Sequence, residues 1–64
     1  MGNKIKAYRR QRKMTQAELS VISGVSRTTI SGLESGRIMN TTAETLVKIA
    51  KALGGSISDI FFAA

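Results

Sequence analysis

Arg27, Thr28, Ser31 and Gly32 are the residues of this chain whose types and spacing point most directly to a chemistry. They recur on one side of a short predicted helix and lie toward its N-terminal end, as small or polar groups around a single arginine. Arginine can hold guanine O6 and N7 with two bonds, and threonine offers both a hydroxyl and a methyl group to base edges. The set therefore suits the floor of a DNA major groove. Histidine and cysteine are both absent, which excludes disulfides, imidazole or thiolate metal sites, and His- or Cys-based catalysis. No cofactor and no metal are expected.

Two predicted helices must position that set. Thr15 stands three residues before Glu18, a spacing in which hydroxyl and carboxylate each satisfy a free backbone N–H at a helix start. A helix is therefore expected from about Gln16, with Ala17 and Leu19 lining one side. Ser23-Gly24 ends it, because glycine reaches the left-handed conformation that closes a helix without a steric penalty. Val25 is an apolar plug, and Ser26 can cap a second helix in which Ile30, Leu33 and Glu34 fall at i, i+3 and i+4 on the buried face. The outcome is two short helices at a sharp angle over about residues 15–34, the second exposing Arg27, Thr28, Ser31 and Gly32.

The strings TQAEL, GVS followed by arginine, and ISGLESG resemble the Cro/repressor (XRE-like) helix-turn-helix family, and LVKIAKALGGSISDIF extends the likeness over nearly the whole chain. The resemblance implies a lambda-repressor-like DNA-binding domain whose second helix-turn-helix element reads bases. It implies an ion pair between Arg9 and Glu34, with guanidinium N–H groups left over for a phosphate; as a partly exposed pair it would contribute at most about 1 kcal/mol. By the same likeness Gln16, Thr29, Ser35, Arg37 and Asn40 are phosphate-contact candidates. Several positions depart from the family pattern. Gly32 replaces a longer side chain at a cost of roughly 1 kcal/mol in helix propensity, either to let the helix approach the groove floor or through drift. Ser20 replaces alanine and can bond to the preceding turn. Val21 and Ile22 are apolar where polar residues are usual, as scattered surface or as a contact for a partner. The loop RIMNTT lacks a proline and carries one extra residue.

The rest of the chain supplies support. Asn3 is expected to cap a first helix from about Lys4 to Arg12, with Ile5 and Tyr8 as its apolar face; six of the ten basic residues, Lys4, Lys6, Arg9, Arg10, Arg12 and Lys13, crowd this region. Lys4, Lys6 and Lys13 read as a solvated face, and Met14 as core. Thr41 and Glu44 form a second capping box ahead of Leu46, Ile49, Ala50 and Leu53, while Lys48 and Lys51 face water. Ser56 with Asp59 starts a last short helix in which Ile57, Ile60 and Phe61 cover the core. Ile38 and Met39 either tuck against the core or meet a second subunit. Phe62, with Ala63 and Ala64, is a dimer contact or a frayed end. The expected fold is all-α, a compact bundle of five short helices, with residues 1–64 as a single helix-turn-helix domain.

Charge and energetics narrow the function. A formal charge of +6 points to a polyanionic partner. No apolar run has the length of a membrane span and the basic start is no secretory signal, so no membrane partner and a cytoplasmic location are expected. Each of the four carboxylates, Glu18, Glu34, Glu44 and Asp59, has a cap or an ion pair to make, leaving no acid–base couple for an enzyme. Two or three base readers, each worth about 1 to 3 kcal/mol per base pair, fall short of the roughly 4 to 10 kcal/mol by which regulators prefer specific sites. A homodimer on a pseudo-palindromic operator closes the gap, sharing apolar surface from Ile38, Met39 and Phe62. The expectation is a sequence-specific regulator of double-stranded DNA, a small phage, plasmid or bacterial repressor acting by promoter occlusion. The rivals are an antitoxin-like module with a second protein docked on Val21 and Ile22, and a general polyanion or membrane-surface binder, which the caps and turns argue against.

Overall fold

In the computed structural model, residues 3–38 and 40–62 are described, Phe62 by its backbone alone. Helix α2 (Gln16–Ser23) begins where the Thr15–Glu18 spacing predicts. The Glu18 N–H donates to Thr15 Oγ1 at 3.0 Å and the Thr15 N–H to a Glu18 carboxylate oxygen at 2.8 Å. Gly24 closes it at φ 75°, with open space where a Cβ would stand, so the backbone angle alone asks for glycine. Ser26 then caps α3 (Arg27–Ser35) by accepting the Thr29 N–H at 3.2 Å.

Three expectations shift. Helix α1 spans Ile5–Gln11, and Lys4, not Asn3, occupies its cap position without a side-chain bond. Asn3 still accepts the Ile5 N–H, but its amide also donates to the Leu33 carbonyl at 2.9 Å, so it bridges α1 to the end of α3. Helix α4 (Ala43–Leu53) is capped by Thr42 through the Thr45 N–H, one residue later than the expected Thr41–Glu44 box. Thr45 supplies a hydroxyl 3.0 Å from that of Thr42, repeating the Ser26–Thr29 arrangement at the start of α3. Ala17 is exposed: Leu19 and Ser23, four residues apart, form the buried side of α2, and a residue two positions before Leu19 falls on the opposite side.

The described residues end in a wide π-type turn, Ser58–Phe62, whose Asp59 N–H is held by Ser56 Oγ at 3.0 Å. Helix α2 packs on both α3 and α4, and α1 on α4 and the terminal turn. Their shared core is Ile5, Leu19, Val25, Ile30, Leu33, Ile49, Ala50, Leu53 and Ile60. Burying each large aliphatic side chain contributes about 1.5 to 3 kcal/mol, so these residues fix the angle at which α3 leaves α2. Tyr8, Met14, Ile57 and Phe61 pack on the core's edge. Ile38 joins them, and thus tucks inward instead of standing out for a second subunit. The other expected subunit contacts, Met39 and the Phe62 side chain with Ala63 and Ala64, lie outside the described residues.

Candidate nucleic-acid interface

Helix α3 divides into two faces. Ile30 and Leu33 are buried in the core, while Arg27 and Thr28 at the N-terminal end are exposed. Ser31 is half-buried beside them. Gly32 does not join the exposed set. It is buried, and a Cβ built there would overlap the Ile38 side chain, meeting its Cγ1 at 2.6 Å. The space a side chain would take is filled by the loop that follows, which returns so that the Ile38 N–H bonds to the Gly32 carbonyl at 3.0 Å. Packing within the chain requires glycine at this position, and Gly32, being buried, does not stand with Arg27 and Thr28 among the exposed residues that could reach base edges.

The expected Arg9–Glu34 pair forms, as a two-pronged fork with Nε to Oε2 at 2.8 Å and Nη2 to Oε1 at 3.0 Å. It is more buried than a surface pair: the two side chains retain 12% and 5% of their accessible surface. Two partners were not foreseen. Arg9 Nη1 donates to the Met14 carbonyl at 2.9 Å, and the Gln16 amide donates to Glu34 Oε1 at 3.2 Å. One carboxylate thereby ties the end of α3 to α1 and to the start of α2. Burial pushes the Glu34 carboxyl up, but the Arg9 and Gln16 hydrogen bonds and the charges of Arg9 and Lys6 outweigh it, and the net shift is downward. The hydrogen bond to Glu34 likewise holds the Arg9 guanidinium above its ordinary value. Glu18 is lowered by the Thr15 backbone N–H it accepts and by the Thr15 hydroxyl.

Around this network the remaining candidates form a polar margin. Gln16 and Thr29 are half-buried, and Ser35, Arg37 and Asn40 are exposed. The Thr29 hydroxyl accepts from that of Ser26 at 2.9 Å, and Ser35 Oγ donates to the Gly32 carbonyl at 3.2 Å while accepting the Arg37 N–H at 3.3 Å. Ser20, expected to bond backward, bonds forward: its hydroxyl donates to the Val25 carbonyl at 2.7 Å and clamps the turn between α2 and α3. The short connection brings that carbonyl within reach, and nothing in the sequence marks it in advance. Val21 and Ile22 remain 83% and 59% exposed and, with Ala17 and Glu18, line a shallow cavity of about 300 Å³ on the outer face of α2. Among the described residues no group of three or more His, Cys, Asp or Glu side chains could hold a metal ion, and no helix is long and apolar enough to cross a membrane.

Two capped helices around a glycine turn, the second with Arg27 and Thr28 exposed, lie within the stretch 5–60 that the helix-turn-helix family model matches. The chain belongs to the XRE-type helix-turn-helix family. Relatives agree. The chain is 43% identical over 61 residues to an uncharacterized HTH-type transcriptional regulator of Methanocaldococcus jannaschii, covering 95% of this chain and 91% of that one. It is 41% identical over 61 residues to a similar uncharacterized regulator of Archaeoglobus fulgidus, covering 95% and 84% of the two. To the immunity repressor protein of Bacillus phage phi105 it is 38% identical over 60 residues, which is 94% of this chain and 41% of the phage protein. As a member of the helix-turn-helix family the chain is a DNA-binding transcriptional regulator and not an enzyme.

Proposed function

We propose that this chain acts as one helix-turn-helix domain that reads a specific sequence in double-stranded DNA, as a homodimer, and represses transcription by covering a promoter. The observation that carries the reading is the division of α3: Arg27 and Thr28 are exposed at its start while Ile30, Leu33 and the Glu34 fork hold its other side rigid. Arg27 and Thr28 read base edges, with Ser31 beside them. Gln16, Thr29, Ser35, Arg37 and Asn40 bind phosphate, joined by the two Arg9 N–H bonds not spent on Glu34 and Met14. The likeness to a phage immunity repressor supports repression. The arithmetic of base reading supports a dimer, since one copy discriminates too weakly.

The test is a selection of bound duplexes from a random pool at near-physiological salt. Enrichment of an inverted repeat with half-sites about 34 Å apart is the expected result. Binding that enriches no motif and collapses with added salt would reduce the protein to a polyanion binder. A second reading, a docked protein partner, is favoured by the exposed Val21 and Ile22. It requires that Val21→Ser with Ile22→Ser abolish regulation in cells while leaving DNA affinity in vitro unchanged.

A further inference from the structure

Four residues among those described have positive φ: Gly24, Gly36 and Gly54 at 72 to 82°, and Lys13 at 52°. The glycines occupy this left-handed region at no steric cost, whereas a side chain with a Cβ is strained there. Three helix ends therefore use the residue that fits, and the end of α1 uses one that does not. The backbone leaves no choice at Lys13, because the Lys13 N–H bonds to the Arg10 carbonyl and the Met14 N–H to the Arg9 carbonyl, both at 3.0 Å, which closes α1 and turns the chain toward α2. A lysine at an angle that glycine would adopt without strain points to a use for its charge.

That use is not internal. Lys13 is exposed, and Arg9–Glu34 is the ion pair formed among the described residues. Its neighbours are the candidate phosphate ligands: the Met14 carbonyl, one residue on, fixes Arg9, and Gln16 opens α2 three residues on. We infer that Lys13 is a DNA phosphate-contact residue, its strained backbone carrying an exposed ammonium group on the turn that leads into Gln16. The inference rests on the DNA-binding surface proposed above and adds to it a residue that a reading of the sequence leaves as a solvated charge. A point cation on a flexible stem suits a phosphate and carries no base preference, so its contribution must be equal on all sequences.

The experiment compares the wild-type chain with Lys13→Gly, Lys13→Asn and Lys13→Arg by thermal unfolding and by binding to a selected duplex and a scrambled one across a salt series. Lys13→Gly and Lys13→Asn are expected to raise Tm, the glycine variant by about 4 °C, because both residues accept the left-handed conformation. The same two variants should weaken binding to both duplexes about five- to tenfold at 0.1 M salt and reduce the salt slope by about one for each copy bound. Lys13→Arg should keep the wild-type slope. Opposite signs for stability and affinity are the signature. Unchanged affinity and slope in Lys13→Gly and Lys13→Asn would overturn the assignment and return Lys13 to the solvent. If the wild-type chain bound neither duplex at low salt, the proposed interface itself would fail, a result separate from the behaviour of the variants.

Discussion

Glu34 shows how a residue's environment sets its worth. As a surface pair with Arg9 it would add little, but with both side chains partly shielded, removing one partner leaves the other's hydrogen-bonding groups short of partners, a loss of about 1 to 2 kcal/mol. Glu34→Ala is therefore expected to destabilise the chain by about that amount near pH 7 and to weaken DNA binding through a displaced Arg9 and Gln16. The pH dependence has a definite sign. Because the folded-state carboxyl lies below its ordinary value, its contribution is full above the usual glutamate pKa of about 4.3 and is lost as pH falls through the lower folded value. Denaturant titrations of wild type and Glu34→Ala should show a gap that is wide at pH 7 and closes toward pH 2; a constant gap would contradict the network. Arg27 and Arg37 differ in kind. Arg27→Ala should cost about 1 to 3 kcal/mol and relax preference at one position per half-site, whereas Arg37→Ala should weaken every sequence alike and flatten the salt slope by about one. Equal, sequence-blind losses from both would defeat the base-reader assignment.

At the scale of elements, the turn between α2 and α3 is held from three sides: Gly24 by conformation, Val25 by burial, and Ser20 by its bond to the Val25 carbonyl. The first two are legible in SGVS, since glycine at a helix end and an isolated apolar residue in a polar turn have local physical meanings. The third is not, because it depends on how close two backbones come. The α3 to α4 loop repeats the lesson. Helix propensity taken alone says that Gly32→Ala gains about 1 kcal/mol. Packing says otherwise, since the added methyl group falls on Ile38. Gly32→Ala is expected to lose about 1 to 3 kcal/mol, as overpacked cores do, and Ile38→Ala should relieve part of the loss. A double-mutant cycle on thermal stability with a coupling above about 0.5 kcal/mol would establish the contact, and strict additivity would exclude it.

For the whole molecule, the small core and the excess of positive charge act together. The described residues span 24 × 20 × 20 Å, so one copy covers little more than a single half-site's width. Titration of a full inverted repeat is expected to end at two chains per duplex, with an isolated half-site bound far more weakly; one chain per full operator, measured by sedimentation or native mass, would remove the dimer. Ile38 is a poor candidate for joining the two copies of the proposed dimer, because its half-buried side chain packs on the core and over Gly32.

Where α2 and α3 start and stop, most of the core, and the outward placing of Arg27 and Thr28 on α3 are legible in the sequence, whereas the starts of α1 and α4 are legible only to within a residue. Each of these follows from interactions within a few residues: a hydroxyl three positions from an N–H, a glycine at a left-handed angle, apolar groups at helical spacing. The likeness to a family supplied the Arg9–Glu34 pair, which lies 25 positions apart and has no local signature. Tertiary packing is what makes Gln16 and the Met14 carbonyl complete that pair, lets Asn3 reach Leu33, and puts Ile38 in the space above Gly32. Those contacts join groups brought within a few ångströms by the packing of whole helices, and burial, which no local pattern encodes, sets how strongly each one counts.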